Sequence, residues 1–344
     1  VLDIIERGLN LTEFKHEWLC HLCVHACEMG PRSLFEMRAL PALEESVMGH
    51  LRHMPTHLYI QLGDYSKSVR LNREAVEIDA HDREKSVSGL HLYSFYECHN
   101  MHFVVFAACM GGMRAIALEY AAKLSAFVRD RITEHGPESI AFAMCEAYLM
   151  VEPMSMVRFG MWKEILEIDE DTSDFVTRRL FLCYAKSIAC AALGKVEQAR
   201  QHQVEFLTQL AVFPNDHRLH NETVVNIALV SKHVIEAEIL YRVGDEWTTE
   251  LAHARRLEAS LAYDEPPAYM IPVRQTTGAL LSEAGRHLES ISHFSEDLQT
   301  WPKNAWSLAG LKAALSKVQP IVKQQYADAS HHMDVPVTAA CACA

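Results

Sequence analysis

A glycine followed within a few residues by a small or apolar helical stripe returns six times along this chain. The instances are Gly63 (with Ser68, Val69, Ala75, Val76 and Ile78), Gly112 (Ala117), Gly160 (Trp162), Gly194 (Ala199), Gly244 (Trp247) and Gly285 (Ile291, Phe294). Gly160 and Gly194 are 34 residues apart, and other successive glycines are separated by 41 to 50. Two helices that double back closely need a turn residue without a β-carbon, so the pattern predicts a succession of helical hairpins. Strand signals are scarce. The expectation is an all-α chain of about seven to eight hairpins, each covering its apolar stripe only against its neighbours. Such a core is continuous and places no domain boundary within residues 1–326. Two interruptions are expected. The polar stretch Asp79–Ser88 separates the second and third units, and Asp264-Glu265-Pro266-Pro267 forms a loop that launches a later helix. The small, polar stretch 327–344 reads as a disordered tail.

The segment Tyr59–Asp79 carries the second-helix pattern of a tetratricopeptide repeat, and 34 residues is that repeat's period. The expected architecture is therefore a tetratricopeptide-like right-handed superhelical solenoid. His53-Met-Pro-Thr-His57, with Leu58-Tyr59-Ile60 and the Gly63-Asp64-Tyr65 turn behind it, resembles a family of tetratricopeptide proteins widespread in bacteria and some eukaryotes. That family carries a His-Met-Pro-x-His-Ile-Tyr element at this place. The resemblance extends to His21-Leu-Cys-Val-His25, to Cys98-His99-Asn100-Met101-His102-Phe103 and to Glu265-Pro-Pro-x-Tyr269. It continues through Pro272-Val-Arg-Gln275 and Trp301-Pro-Lys-Asn-Ala-Trp-Ser-Leu308. Cys98 departs from the family, which has proline before His-Asn. The resemblance implies the fold and no particular activity.

Twenty histidines are the compositional outlier in 344 residues. Six of them form three pairs in the first third: His21/His25, His53/His57 and His99/His102. Counting Gly63 and Gly112 as the fifteenth residues of their units places His53/His57 and His99/His102 on first helices, whose equivalent positions line the concave groove in tetratricopeptide proteins. His21, His25 and Glu28 join them if the first unit, aligned on Arg38-Ala39-Leu40, has a turn about three residues longer than usual. Residues at i, i+4 can reach one metal from one helix, and helices packed side by side lie about 8–10 Å apart. Imidazoles from neighbouring helices can therefore share an ion. His21, His25, Glu28, His53, His57, His99 and His102 are the candidate metal ligands, for copper, iron or zinc. Two ions with three histidines each is one arrangement; a two-histidine, one-carboxylate set from His21, His25 and Glu28 is another. Glu28 equally fits a solvated helix end. Leu22 and Met54 stand where a zinc protease would have glutamate, so that signature is absent.

On the later helices, Arg274 and Gln275 are candidates to hold a carboxylate or phosphate, with an inter-repeat ion pair as the plainer reading of Arg274. Tyr269 joins them as a substrate-side or packing aromatic. Glu238 is the candidate general base, and Arg274 the accompanying catalytic cation. His202, His217, His220 and His331-His332 fall in polar segments and read as solvated. Cys20, Cys23 and Cys27 share one helical stripe and read as thiols in a reducing compartment; no second pair matches Cys20/Cys23 for zinc. Cys341 and Cys343 lie in the tail.

Net charge of −13 argues against nucleic acid or an anionic membrane surface as partner. No run of 18 apolar residues is present, and Val-Leu-Asp-Ile-Ile is no signal peptide, which points to the cytoplasm. The missing initiator methionine leaves room for residues upstream. No P-loop, GxGxxG or GxSxG pattern occurs. Together these features suggest a metal-dependent enzyme acting on a small molecule by oxidative or hydrolytic chemistry. The alternative is a non-catalytic adaptor that takes a peptide or protein in the groove. The sequence sets no oligomeric state.

Overall fold

The computed structural model describes residues 2–29, 37–85, 93–136, 142, 145–169 and 175–330. Helices make up almost all of its regular structure, and each packs mainly on its neighbours in the chain. Two-residue strands at Arg218–Leu219 and Glu222–Thr223 form a small antiparallel hairpin. No helix among the described residues is long and apolar enough to cross a membrane.

All six turn glycines have positive φ, between 65° and 80°. Gly63 shows why no other residue serves there. Besides its φ of 74°, a β-carbon would strike the Pro302 carbonyl. Both requirements come from the turn that ends helix Pro55–Leu62 and abuts a turn near the other end of the chain.

Two apolar cores result. A smaller one gathers Ile5, Leu9, Val24, Leu40, Leu51, Met54 and Leu58 under the first helices. The larger runs from Ile60 to Leu281, with Phe103, Phe106, Tyr148, Phe181 and Ile235 among its members. Helices Glu17–Cys27 and Gly49–His53 contribute to the smaller core, Tyr93–Met110 to the larger, and Pro55–Leu62 to both.

The sequence suggested a break over Asp79–Ser88, but helix Tyr65–Lys85 continues through its first seven residues, and 86–88 lie outside the described residues. Asp79 is fully buried and accepts a hydrogen bond from Asn100 Nδ2 at 2.7 Å. A carboxylate that reads as polar loop is thus a tie between helices Tyr65–Lys85 and Tyr93–Met110. The Asp264–Pro267 loop is confirmed, with helix Val273–Glu283 starting after Pro272. At the C-terminus helix Ala305–Ser330 runs past the expected start of the tail; Cys341, Cys343 and His331-His332 lie outside the described residues.

Contacts of long sequence separation close the chain on itself. Trp306 Nε1 donates to the Cys109 carbonyl at 2.6 Å, and Gln61 Nε2 donates to Glu265 Oε1 at 3.2 Å. The turn 301–304 that meets Gly63 is held by a buried network: Asp297 Oδ2 accepts from Gln275, Asn304 and Ser307.

Candidate metal centre

The His-Met-Pro-x-His element explains its own geometry. Proline has no N–H and cannot continue the preceding helix, so Gly49–His53 ends and Pro55–Leu62 starts at Pro55. Met54 is the shared cap, and the two imidazoles remain one turn apart across the junction. His53 Nε2 and His57 Nε2 are 2.7 Å apart. From helix Tyr93–Met110, His99 Nε2 comes within 3.0 Å of His53 Nε2. One ring nitrogen of each of these three histidines lies within 4.8 Å of the others, an arrangement able to hold a metal ion. Phe103 packs on all three rings.

The partners on the far side of each ring assign the tautomers. Asn72 Nδ2 donates to the Ser68 carbonyl at 2.9 Å, which turns its oxygen toward His53 Nδ1 at 2.6 Å. His53 therefore donates from Nδ1 and presents a bare Nε2. His57 Nδ1 faces two acceptors, Glu28 Oε2 at 2.9 Å and a close Glu265 Oε2, so its neutral ring also bares Nε2. His220 Nδ1 lies 3.5 Å from Asp264 Oδ1, and its Nε2 meets the Tyr148 hydroxyl and lies 3.4 Å from His99 Nδ1. The three Nε2 atoms of His53, His57 and His99 thus face one another, and only a proton, which the raised His57 carries, or a cation in its place relieves the repulsion between them. Outward-facing Nδ1–H partners of this kind are what metal-binding histidines use.

Titration behaviour follows from the same contacts. Burial lowers His53 and His99 well below the ordinary imidazole range, reinforced by repulsion from neighbouring histidines. His57 is the exception. Burial would lower it, but the charges and hydrogen bonds of Glu265 and Glu28 raise it to about 9. Burial works against Glu28 ionising, yet the bonds from His25 and His57 bring its carboxyl down to about 2.

His21, His25 and His50 form a second group with mutual nitrogen distances within 4.8 Å. His21 Nε2 and His50 Nε2 are 3.1 Å apart, and His25 Nδ1 lies 3.1 Å from Glu28 Oε1. Both groups open on a cavity of about 510 Å³ whose lining includes His57, His99, His220, Tyr96 and Glu265. A neighbouring cavity of about 690 Å³ shares Glu28, Tyr263, Asp264 and Glu265 and extends to Arg255, Arg274 and Tyr269.

Of the residues expected to ligate, the structure brings together His21, His25, Glu28, His53, His57 and His99. It does not bring in His102. That ring is fully buried behind the cluster, edge-on to Tyr148 at 5.6 Å, and neither of its nitrogens has a partner. His220 corrects the sequence reading. The Arg218–Thr223 hairpin folds it into the site at φ 50° instead of leaving it in solvent. His202 and His217 are also only partly exposed, beside Glu205 and Glu146 respectively.

Arg274 pairs with Glu296 at the wall of the larger cavity, as the ion-pair reading anticipated. Tyr269 lines that cavity and is buried. Gln275 and Glu238 are elsewhere. They line a separate cavity of about 570 Å³, with Gln275 tied to Arg158 and Asp297 and Glu238 3.6 Å from Arg242. Cys20 is a buried thiol donating to the Phe14 carbonyl, with burial pushing its pKa to about 11, and no disulfide joins the described cysteines.

His50, Asn72, His220, Asp264 and Glu265 complete the site and were not singled out as ligands or orienting groups from sequence. His50 carried a signal, an i, i+3 relation to His53. Glu265 carried only its place in the Glu-Pro-Pro motif. His220 carried none, since it sits in a short irregular hairpin.

No protein-family model, curated protein or solved structure matches the chain.

Proposed function

We propose that this chain is a metal-dependent enzyme acting on a small molecule, built on a tetratricopeptide-like superhelical solenoid of about seven to eight hairpins. The glycine turns and the 34-residue step from Gly160 to Gly194 support the solenoid. A transition metal ion, copper, iron or zinc, is held by His53, His57 and His99. The observation that carries this reading is the convergence of the Nε2 atoms of His53, His57 and His99, with Asn72, Glu28 and Glu265 engaging the Nδ1 edges of His53 and His57. A mostly nitrogen ligand set favours such ions over magnesium or calcium. Bound there, the ion supplies Lewis acidity toward a water or dioxygen molecule, which covers both hydrolytic and oxidative chemistry.

The residues around it have separable tasks. Glu28 and Glu265 orient His57, Asn72 orients His53, and Tyr148 with His220 orients His99. Phe95 and Phe103 exclude water from one side of the rings. The adjoining cavity gives room for an organic substrate, with Arg274 and Arg255 able to neutralise an acidic group on it. Thiol-rich helices and acidic net charge fit a cytoplasmic protein without nucleic-acid or membrane partners.

Elemental analysis of untagged protein tests the reading. Copper, iron or zinc near stoichiometry is expected, and His53→Ala with His57→Ala should release it. Folded protein that remains metal-free after incubation with each ion would instead leave a peptide-binding adaptor.

A further inference from the structure

We propose that the centre holds two metal ions, the second at His21, His25 and His50, with Glu28 as a single carboxylate that orients one histidine of each group. This rests on the metal reading above and adds a second site to it.

The first support is that the two histidine groups share no residue. His21 and His25 come from helix Glu17–Cys27 and His50 from helix Gly49–His53, and the three offer ring nitrogens within 4.8 Å of one another. His21 and His50 pack edge-on to Trp18 and Tyr96 respectively, and their polar atoms meet only each other. Their Nδ1 atoms are buried without partners, and their Nε2 atoms face each other at 3.1 Å. Two rings from different helices are thus packed nitrogen to nitrogen with no polar group between them.

The second support is Glu28. Its Oε1 lies 3.1 Å from His25 Nδ1, and its Oε2 lies 2.9 Å from His57 Nδ1. By the tautomer argument used for His57, His25 donates from Nδ1 and presents a bare Nε2. One carboxylate therefore prepares a ligand in each group, and the two rings are 5.7 Å apart between centroids. A solvated helix-end glutamate would have no reason to divide its oxygens this way. Both ions would look into the same cavity of about 510 Å³. A substrate there can contact both, as in two-metal enzymes that clamp attacking and leaving oxygens.

The test counts ions in folded, untagged protein loaded with zinc and then dialysed. His233, Glu250 and His253 form a separate group on helices Val224–Val243 and Thr248–Ser260 that could itself take an ion. The count is therefore made in a His253→Ala background. Two zinc ions per chain are expected there, falling to one with His50→Ala. Circular dichroism checks the fold, and His21→Gln is the second variant if His50→Ala does not fold. Glu28→Gln should weaken both sites about 10- to 100-fold, whereas Asn72→Ala should weaken only one. One ion per chain, unchanged by His50→Ala and lost with His99→Ala, would overturn the second site and leave the first intact. No ion at all would overturn both.

Discussion

Asn72 gives its amide hydrogens to the Ser68 carbonyl, and that single choice aims its oxygen at His53 Nδ1. The consequence appears on the opposite edge of the ring, where Nε2 becomes a lone pair. Asn72→Ala should therefore cost about 10- to 100-fold in metal affinity while His53, His57 and His99 all remain. Competition against a chelating dye measures it; unchanged affinity would mean that His53 does not ligate through Nε2. Residues of this kind are hard to find in a sequence. Imidazole pairs at i, i+4 announce themselves, but Asn72 sits unmarked in the next helix. His50 is masked by the more regular pair that follows it. His220 reaches the site only because a two-residue hairpin places it at positive φ, and no periodicity encodes that.

Glu238 supplies a pH prediction away from the metal. Burial raises its carboxyl from an ordinary 4.5 to about 7, only partly opposed by Arg242. Between those values the unfolded chain gives up the proton first, so the stability linked to the protonated group is present below about 4.5 and is lost as pH rises through about 7. Glu238→Gln should remove this dependence. It should melt above the parent protein at pH 8, by up to about 3 kcal/mol, and show no such gain at pH 4. Equal gains at both pH values would rule out a raised carboxyl.

At the scale of elements, the six glycine turns were legible because positive φ restricts residue choice so severely. Gly63 combines that restriction with the closeness of Pro302. Gly63→Ala should destabilise the protein by about 2 kcal/mol or more, from the left-handed backbone and the collision together. Gly194→Ala provides the comparison. It shares the positive φ but meets nothing within 4 Å, so its loss should be about 1 kcal/mol. Equal losses in denaturant midpoint would remove the argument for a close approach. The supposed break at Asp79 misled because a lone polar run looks the same whether solvated or paired. Asn100, on the following helix, decides between the two. Proline within His-Met-Pro-x-His was informative in the opposite sense: it ends one helix and begins another while keeping both histidines on the site.

Across the whole molecule, the centre depends on closure between the first helices and residues beyond 260. Glu265 reaches His57, Asp264 reaches His220, and the turn 301–304 meets Gly63. A sequence read repeat by repeat predicts contacts between neighbours. A superhelical turn that brings the later helices across from the histidines was conceivable from it, through Arg274 and Gln275, but not that Asp264 and Glu265 make the contact. Asp297 fixes that turn through three buried hydrogen bonds. Asp297→Ala should lower stability by about 2–4 kcal/mol, read from urea unfolding, and should also weaken metal binding although Asp297 touches no ligand. Full metal affinity in a destabilised Asp297→Ala protein would mean that the closure does not support the centre.

Anomalous diffraction from crystals of the untagged, metal-loaded protein is the most direct measurement. The account predicts a peak about 2.0–2.3 Å from the Nε2 atoms of His53, His57 and His99 together. The absence of any peak among those three nitrogens, with the rings hydrogen-bonded to one another through a shared proton, would contradict it.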